Sequence, residues 1–238
     1  MLTVEALDAG YGEAQILFGV DLTVAEGEVV TLLGRNGMGK TTTIRAIMGL
    51  IRPKAGRVTV AGRDLTGAAP FRIAQAGIGL VPEGRMIFPT LSVEENLIAT
   101  AASRFGKPRW DIERIYGFFP RLKERRANRG NQLSGGEQQR LALARALMTR
   151  PDILFMDEAC ANLDPASAAQ IEALLLHASK EGQKIILITH DIAQARRLAD
   201  DLIFLHQGQL CEHSSAKDFF KRPKSGAARA YLDGQILV

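Results

Sequence analysis

A chain of 238 residues that is 46% apolar and 24% charged is long enough for one large domain with a substantial hydrophobic core. Its two cysteines exclude a disulfide framework, and no apolar stretch approaches the ~20 residues of a transmembrane helix. The first residues lack the pattern of a signal peptide, so we expect a cytoplasmic setting. The formal charge is only +4, and the basic run over 121–126 has no interleaved aromatic residues, so we expect no nucleic-acid partner.

The N-terminal segments predict antiparallel strands, because residues 2–8 and 20–24 alternate apolar and polar side chains. Tyr11 lies between them, flanked by Gly10 and Gly12, in what the pattern predicts to be a loop. The spacing alone leaves two roles open for this tyrosine, which are packing within the turn and stacking on a base.

A glycine-rich motif follows the apolar run 29–33 and leads into a stretch of helical character that starts at Thr42. It fits G-x-x-x-x-G-K-[ST] with Gly34, Arg35, Asn36, Gly37, Met38, Gly39, Lys40 and Thr41. Strand, glycine turn and helix in this order are what a phosphate-binding loop requires. Lys40 would reach the β- and γ-phosphates, and the Thr41 hydroxyl would ligate Mg²⁺. The alternative is an ordinary glycine-rich turn, but Lys40 and Thr41 together favour a nucleotide phosphate site, with Thr42 among its binding residues.

Further along, an apolar segment over 79–81 predicts a buried strand that ends at Pro82. Glu83 follows at the carboxyl end of that strand, where open α/β sheets place their ligands. The pattern then becomes helical from about 89 to 150, and Ser92 with Glu95 predicts a capping box.

A second candidate anion site precedes the helix that runs to about Met148. Its residues are Ser134, Gly135, Gly136 and Glu137. Ser134 is suited to cap this helix, and the two glycines leave the backbone accessible at its positive end. A common helix cap is the alternative, but the presence of a phosphate loop in the same chain favours phosphate binding.

Two more buried strands end in polar residues. The apolar run 153–156 leads to Asp157 and Glu158. Burying two adjacent carboxylates costs free energy, so their presence here indicates a role in metal binding or catalysis. Asp157 would hold Mg²⁺, and Glu158 would orient or deprotonate the attacking water. The run 184–188 leads to His190, which is either catalytic or structural.

In this order, the segments resemble the ATP-binding subunits of ABC transporters, and the resemblance covers essentially the whole chain. The matching motifs are an aromatic loop at Tyr11, Walker A at 34–41, a Q-loop position at Glu83, the signature at 133–137, Walker B ending at Asp157, the catalytic Glu158, a D-loop at 161–164 and the switch residue His190.

The resemblance implies an α/β P-loop NTPase over residues 1–238. It implies a RecA-like, mostly parallel core with an antiparallel β-subdomain at 1–84 and 151–238, and an inserted helical subdomain at 85–150. It further implies an ATPase that binds ATP and Mg²⁺ in a dimer sandwich, with Glu83 near the metal. The implied partners are a second ATP-binding subunit, membrane permease subunits and, indirectly, a solute-binding protein, which places the chain at the cytoplasmic face of the cell membrane.

Two departures from the family pattern concern the site. The Q-loop residue is normally Gln and is Glu83 here, and Ala159 replaces the proline that usually follows the Walker B glutamate. The N-terminal two thirds resembles importers of branched-chain amino acids, in which Glu at the Q-loop position is usual. The C-terminal third is more similar to importers of oxyanions such as tungstate or phosphate, so both a natural mosaic and an engineered chimera stay open.

Other functions are less compatible with the sequence. A soluble ABC ATPase of DNA repair or translation usually carries two cassettes or a long insertion, and the sequence shows neither. A GTPase needs a guanine-reading motif, and we find none in the sequence. A nucleotide-binding regulator without hydrolysis is disfavoured by Glu158 and His190. The leading interpretation is the ATPase of an importer, with amino acids as the first solute class and oxyanions as the alternative.

Overall fold

The computed structural model describes residues 1–25, 27–101, 109–161 and 163–235. These residues form two compact units, Met1–Ala76 with Lys184–Val238 and Gly77–Gln183. The units are defined by spatial contact and do not coincide with the expected subdomain boundaries near residues 84 and 150, so that division of the family fold stays a prediction. Among the described residues, no helix combines the length and apolar character needed to cross a bilayer.

The first unit contains two sheets and five helices among its described residues. Its elements are β1 (Leu2–Tyr11), β2 (Ala14–Val24), β3 (Val29–Leu33), α1 (Lys40–Ile47), β4 (Ala55–Val60), β5 (Arg63–Asp64), α2 (Pro70–Gln75), β8 (Lys184–Thr189), α8 (Ile192–Leu198), β9 (Asp201–His206), β10 (Gln209–Ser215), α9 (Ala216–Lys221) and α10 (Gly226–Leu232). The first sheet is antiparallel, with strand order β2-β1-β4-β5, as the alternating pattern predicts. In the second sheet β3 lies between β8 and β9 and runs parallel to both.

Burial explains the composition of β3 and β8. All five residues of β3 and all six of β8 are buried, as expected of parallel strands covered on both faces. Leu33, the last residue of β3, pairs with Thr189, the last residue of β8. The loop that carries the glycine-rich motif and the loop that carries His190 therefore leave neighbouring strands at the same edge of the sheet.

The second unit contains the predicted helical region. Its elements are β6 (Ile78–Val81), α3 (Val93–Ala99), α4 (Ile112–Phe118), α5 (Pro120–Glu124), a 3₁₀ turn (Gly130–Gln132), α6 (Gly135–Met148), β7 (Ile153–Asp157) and α7 (Pro165–Lys180). Strands β6 and β7 pair in parallel, and β7 is fully buried. The predicted capping box at Ser92 and Glu95 is confirmed at the start of α3. Parallel strands, an antiparallel sheet and a group of helices together confirm the predicted α/β class.

Candidate nucleotide site

The glycine-rich motif forms the loop between β3 and α1, and two of its glycines, Gly34 and Gly39, are sterically required. A Cβ on Gly34 would lie 2.5 Å from the carbonyl oxygen of Leu205, and one on Gly39 would lie 2.7 Å from Cδ2 of Leu17. Gly39 also has a φ of 99°, in the left-handed region that other residues adopt only with strain. The loop is therefore packed so closely against β9 at Gly34 and against β2 at Gly39 that neither position can hold a side chain.

Helix α1 begins without a side-chain cap, because Gly39 occupies the N-cap position. Within the described residues, the backbone N–H groups of Asn36, Gly37 and Gly39 have no hydrogen-bond partner. Unpaired N–H groups at a helix N-terminus form an anion-binding site. The loop thus has the donors that a phosphate group requires.

Lys40 places a cation inside this loop. Its side chain is 5% exposed, and Nζ donates hydrogen bonds to the carbonyl oxygens of Gly34 (2.7 Å) and Arg35 (2.8 Å). Thr41 and Thr42 follow in the first turn of α1, half-buried and buried respectively. The ammonium group therefore lies among the backbone atoms that would surround a phosphate.

Distant segments of the first unit hold the loop in place. Two N–H groups of the turn between β9 and β10 donate hydrogen bonds to Met38. Gln207 N donates to its Sδ (3.2 Å), and Gly208 N donates to its carbonyl oxygen (3.2 Å). The Arg35 guanidinium donates to the carbonyl oxygen of Gln235, beyond α10. The loop is thus fixed by the C-terminal part of the chain, which the sequence motif does not reveal.

The prediction that Tyr11 lies on a loop is wrong, because Tyr11 is the last residue of β1 and pairs with Ala14 across a hairpin. Its ring is 44% exposed, and its hydroxyl accepts a hydrogen bond from Arg45 on α1 (3.1 Å). Glycines around an aromatic residue suggested a loop, but the hairpin turn is shorter than predicted and consists of the two residues between the strands. The exposed ring leaves the stacking role as a prediction.

In the second unit, the Q-loop position begins a strained turn. Glu83 is exposed, and Arg85 has a φ of 54°, which is unusual for a residue with a side chain. The Arg85 guanidinium lies against Gly135, where a Cβ would come within 2.6 Å of a guanidinium nitrogen. This contact joins the Glu83 turn to the signature motif, and no periodicity in the sequence indicates it.

The signature motif forms a complete capping box at the start of α6. The Ser134 hydroxyl accepts from Glu137 N (3.3 Å), and the Glu137 carboxylate accepts from Ser134 N (2.8 Å). Burial raises the pKa of Glu137, but the hydrogen bonds from Ser134 and the nearby Arg125 and Arg140 outweigh it, so the net pKa is below its usual value. The predicted cap at Ser134 is confirmed, and Glu137 is negatively charged at neutral pH.

The first turn of α6 also packs closely on α7. A Cβ on Gly136 would lie 3.2 Å from Oγ of Ser167, and this hydroxyl accepts a hydrogen bond from Arg140 (2.7 Å). Asp164 accepts from Ser167 N (2.9 Å) and so caps α7. The signature helix is thereby linked to the predicted D-loop, although Asn162 of that loop lies outside the described residues.

Asp157 and Glu158 differ in their conformations. Asp157 is the last residue of β7 and is 5% exposed. Glu158 follows with a φ of 47°, and its carbonyl oxygen accepts from Ala161 N (2.9 Å). Strained backbone of this kind concentrates at functional sites. Ala159, at the position of the usual proline, is buried.

His190 connects β8 to α8 in the first unit, and its side chain is exposed. The Tyr231 hydroxyl on α10 donates to the carbonyl oxygen of His190 (3.0 Å). Sequence reasoning missed Tyr231, since the tail pattern indicated only short amphipathic helices.

These features define a P-loop nucleotide-binding protein of the α/β class. They are a buried strand, a glycine-rich loop and a helix without a side-chain cap, whose first residue is a buried lysine. Residues 17–161 match the family model described as ABC transporter. The chain therefore belongs to the ABC transporter family, as the order of its motifs predicts.

Full-length relatives agree with this assignment. The chain is 36% identical over 238 residues to the high-affinity branched-chain amino acid transport ATP-binding protein BraG of Pseudomonas aeruginosa, covering 98% of this chain and 100% of BraG. It is 32% identical to the arginine transport ATP-binding protein ArtM of Bacillus subtilis, covering 98% and 99% of the two chains.

A solved structure extends the comparison to catalysis. A dimeric ATP-binding cassette in a post-hydrolysis state, bound to ADP and Pi, has a TM-score of 0.79 and 26% identity, with 91% of this chain and 99% of that chain covered. Together with the family match, this similarity identifies the chain as an ATP-binding subunit of ABC type and an ATPase.

Proposed function

We propose that this chain is the ATPase subunit of an importer that drives amino-acid uptake, of the branched-chain type, through a separate membrane permease. The observation that carries the proposal is the end-to-end similarity to BraG, at 36% identity. Glu83 at the Q-loop position agrees with it, because the family resemblance associates glutamate there with branched-chain amino-acid importers. An oxyanion importer is the alternative, and neither relative described above is named for one.

At the site, Lys40 and the loop N–H groups would hold the β- and γ-phosphates, and Tyr11 would stack on the base. Thr41, Asp157 and Glu83 offer hydroxyl and carboxylate oxygens, the ligands that Mg²⁺ prefers, and bound Mg²⁺ would neutralise phosphate charge. Glu158 would accept the proton of the attacking water, and His190 would contact the γ-phosphate. The unpaired N–H groups of the loop support the phosphate assignment.

We infer a second subunit from the motif count. Each chain carries one phosphate loop and one signature motif, so two chains would close two sites with Ser134, Gly135 and Gly136 of one subunit facing ATP held by the other. The dimeric relative with bound ADP and Pi supports this arrangement.

The substitution Glu158→Gln tests hydrolysis and dimerisation together. The neutral amide cannot accept a proton, so turnover should fall by ~10²–10⁴-fold while ATP binding is retained. ATP should then shift the variant from monomer to dimer in size-exclusion chromatography. Glu113→Gln, at an exposed carboxylate, is the matched control and should resemble wild type. A Glu158→Gln monomer that still hydrolyses ATP would contradict both assignments.

An apolar surface near the Q-loop is the candidate permease contact. Met86, Phe88 and Ile98 are 69%, 43% and 57% exposed. The Arg145 guanidinium lies 4.1 Å from the centre of the Phe88 ring and donates to the Met86 carbonyl oxygen. This interaction orients Phe88 without burying it. The family resemblance predicts residues 83–100 for this contact, with Arg85 and Phe88 as candidates. Because the Arg85 guanidinium lies against Gly135, Phe88 is the better candidate of the two.

Crosslinking tests this surface. In a chain with Cys160 and Cys211 replaced, a cysteine at Phe88 should crosslink to co-purified permease, and one at the exposed Lys217 should not. The reverse result would contradict the proposal.

The transported solute is tested by uptake. Vesicles containing the complex should accumulate labelled leucine or valine with ATP, whereas uptake of tungstate instead would favour the oxyanion alternative.

A further inference from the structure

Helix α10 and the residues just after it contact both loops that leave the neighbouring strands β3 and β8. Tyr231 donates to the His190 carbonyl oxygen (3.0 Å), and the Gln235 carbonyl oxygen accepts from the Arg35 guanidinium. Arg35 lies within the phosphate loop. One short segment, residues 231–235, therefore connects the two segments that would contact the γ-phosphate from this unit.

Tyr231 is held rigidly enough to act as an anchor. It is 6% exposed and packs against Phe204, with ring centres 5.2 Å apart, in a buried cluster that includes Leu33 at the end of β3. Burial raises the pKa of the Tyr231 phenol, and this effect outweighs the nearby Arg35, which lowers it. The hydroxyl is therefore protonated throughout the physiological range and available to donate.

The other hydrogen bonds around His190 fix its neighbours. Asp191 N donates to the Thr189 hydroxyl (3.0 Å), and the Asp191 carboxylate accepts from Ala193 N and Gln194 N to begin α8. These bonds set the backbone on the C-terminal side of His190. The His190 carbonyl and the Asp191 N–H belong to one peptide group, so Tyr231 and Thr189 hold its two sides and together fix the backbone from which the His190 side chain projects.

We propose that Tyr231 is a positioning residue, which orients the His190 imidazole for ATP hydrolysis through the hydrogen bond to the His190 carbonyl. The inference rests on the proposed catalytic role of His190. Through the bond between Arg35 and Gln235, the segment 231–235 joins the phosphate loop to the His190 loop.

The test compares Tyr231→Phe with Tyr116→Phe in the full-length chain. Tyr116 is also buried, at 4% exposed, but among the described residues its hydroxyl has no hydrogen-bond partner, so its loss removes no bond. The net free energy of one hydrogen bond corresponds to an effect of about two- to twelvefold on a rate. Tyr231→Phe should lower kcat by about that factor and change KM for ATP less than twofold, while Tyr116→Phe should keep the wild-type kcat.

A double-mutant cycle with His190→Ala separates the two proposals. Removing one preorganised donor typically costs at least about a hundredfold in kcat, and if Tyr231 acts through His190, adding Tyr231→Phe should cause no further loss. Wild-type kcat in His190→Ala would overturn the role of His190. Wild-type kcat in Tyr231→Phe beside an impaired His190→Ala would overturn the positioning role alone. Multiplying losses in the double variant would likewise show that Tyr231 acts independently and would overturn it.

Discussion

The two helices that begin at predicted phosphate-binding motifs, α1 and α6, start in different ways. Helix α1 has glycine at its N-cap and no side-chain cap, and N–H groups of the preceding loop are unpaired within the described residues. Helix α6 begins with a complete capping box, in which the Ser134 hydroxyl accepts from Glu137 N and the Glu137 carboxylate accepts from Ser134 N. The start of α1 therefore has no side-chain acceptor of its own, whereas side chains already occupy two donors at the start of α6 and leave the N–H groups of Gly135 and Gly136 without a partner among the described residues.

This difference assigns unequal tasks to the two ends. The donors of α1 gain partners when phosphate binds, so ATP should bind to a single chain there. At α6 an approaching phosphate meets the Ser134 hydroxyl and the glycine backbone, and it must compete with the bonds of the capping box. We therefore expect α1 to determine nucleotide affinity and α6 to contribute mainly to hydrolysis in the dimer.

The largest expected effect is at α1. Lys40→Ala removes the cation and its two bonds to the loop, and because a hydrogen bond to a charged group contributes about 1.5–3 kcal/mol, ATP affinity should fall at least tenfold. Isothermal titration calorimetry measures the change. Lys54→Ala, which removes an exposed lysine that bonds to the Glu13 carbonyl oxygen, is the control. Unchanged affinity in Lys40→Ala would remove the lysine from the phosphate site.

A smaller effect is expected where the base would bind. Tyr11→Ala should weaken ATP by roughly tenfold and leave inorganic triphosphate unaffected, because base–aromatic stacking contributes ~1–3 kcal/mol. Tyr11→Phe keeps the ring and removes only the bond to Arg45, so it should bind ATP almost as wild type does. Equal losses for ATP and triphosphate would assign Tyr11 to packing of the hairpin.

At α6 the matched comparison is with α3, which begins with the same kind of capping box. Ser134→Ala and Ser92→Ala should each lower the free energy of unfolding by about 1 kcal/mol, as measured by urea denaturation. Only Ser134→Ala should also lower ATPase activity under conditions in which both variants are folded. If Ser92→Ala lowers activity equally, the effect of Ser134 is that of a helix cap and nothing more.

The smallest effect concerns pH. Because the pKa of Glu137 is lower in the folded chain than its usual value of 4.5, its charge stabilises the fold above that pH, and the stabilisation is lost as pH falls through the folded pKa. Glu137→Gln should therefore melt below wild type at pH 7, and the difference in Tm should shrink as the pH is lowered to 3. A difference that is constant with pH would mean that the charge of Glu137 does not contribute.

The sequence predicts much of this architecture because the signals are local. Strands β3, β7 and β8 are short apolar runs, and the caps at Ser92 and Ser134 have their partners three residues away. Tyr11 was misplaced because glycines suggested a longer loop than the hairpin turn that forms. Arg85 on Gly135 and Tyr231 on His190 could not be predicted, since they join residues about 50 and 41 positions apart through packing that no periodicity encodes.

The left-handed backbone of Glu158 has a consequence for engineering and for natural variation. A non-glycine residue in this region costs about 1–3 kcal/mol, and glycine would relieve it. Screens that select only for thermal stability should therefore enrich Glu158→Gly, and so should selection for stability alone in a copy released from transport. On the catalytic role proposed for Glu158, a glycine at this position in a duplicated copy of the chain would mark a subunit that had kept its fold and lost hydrolysis.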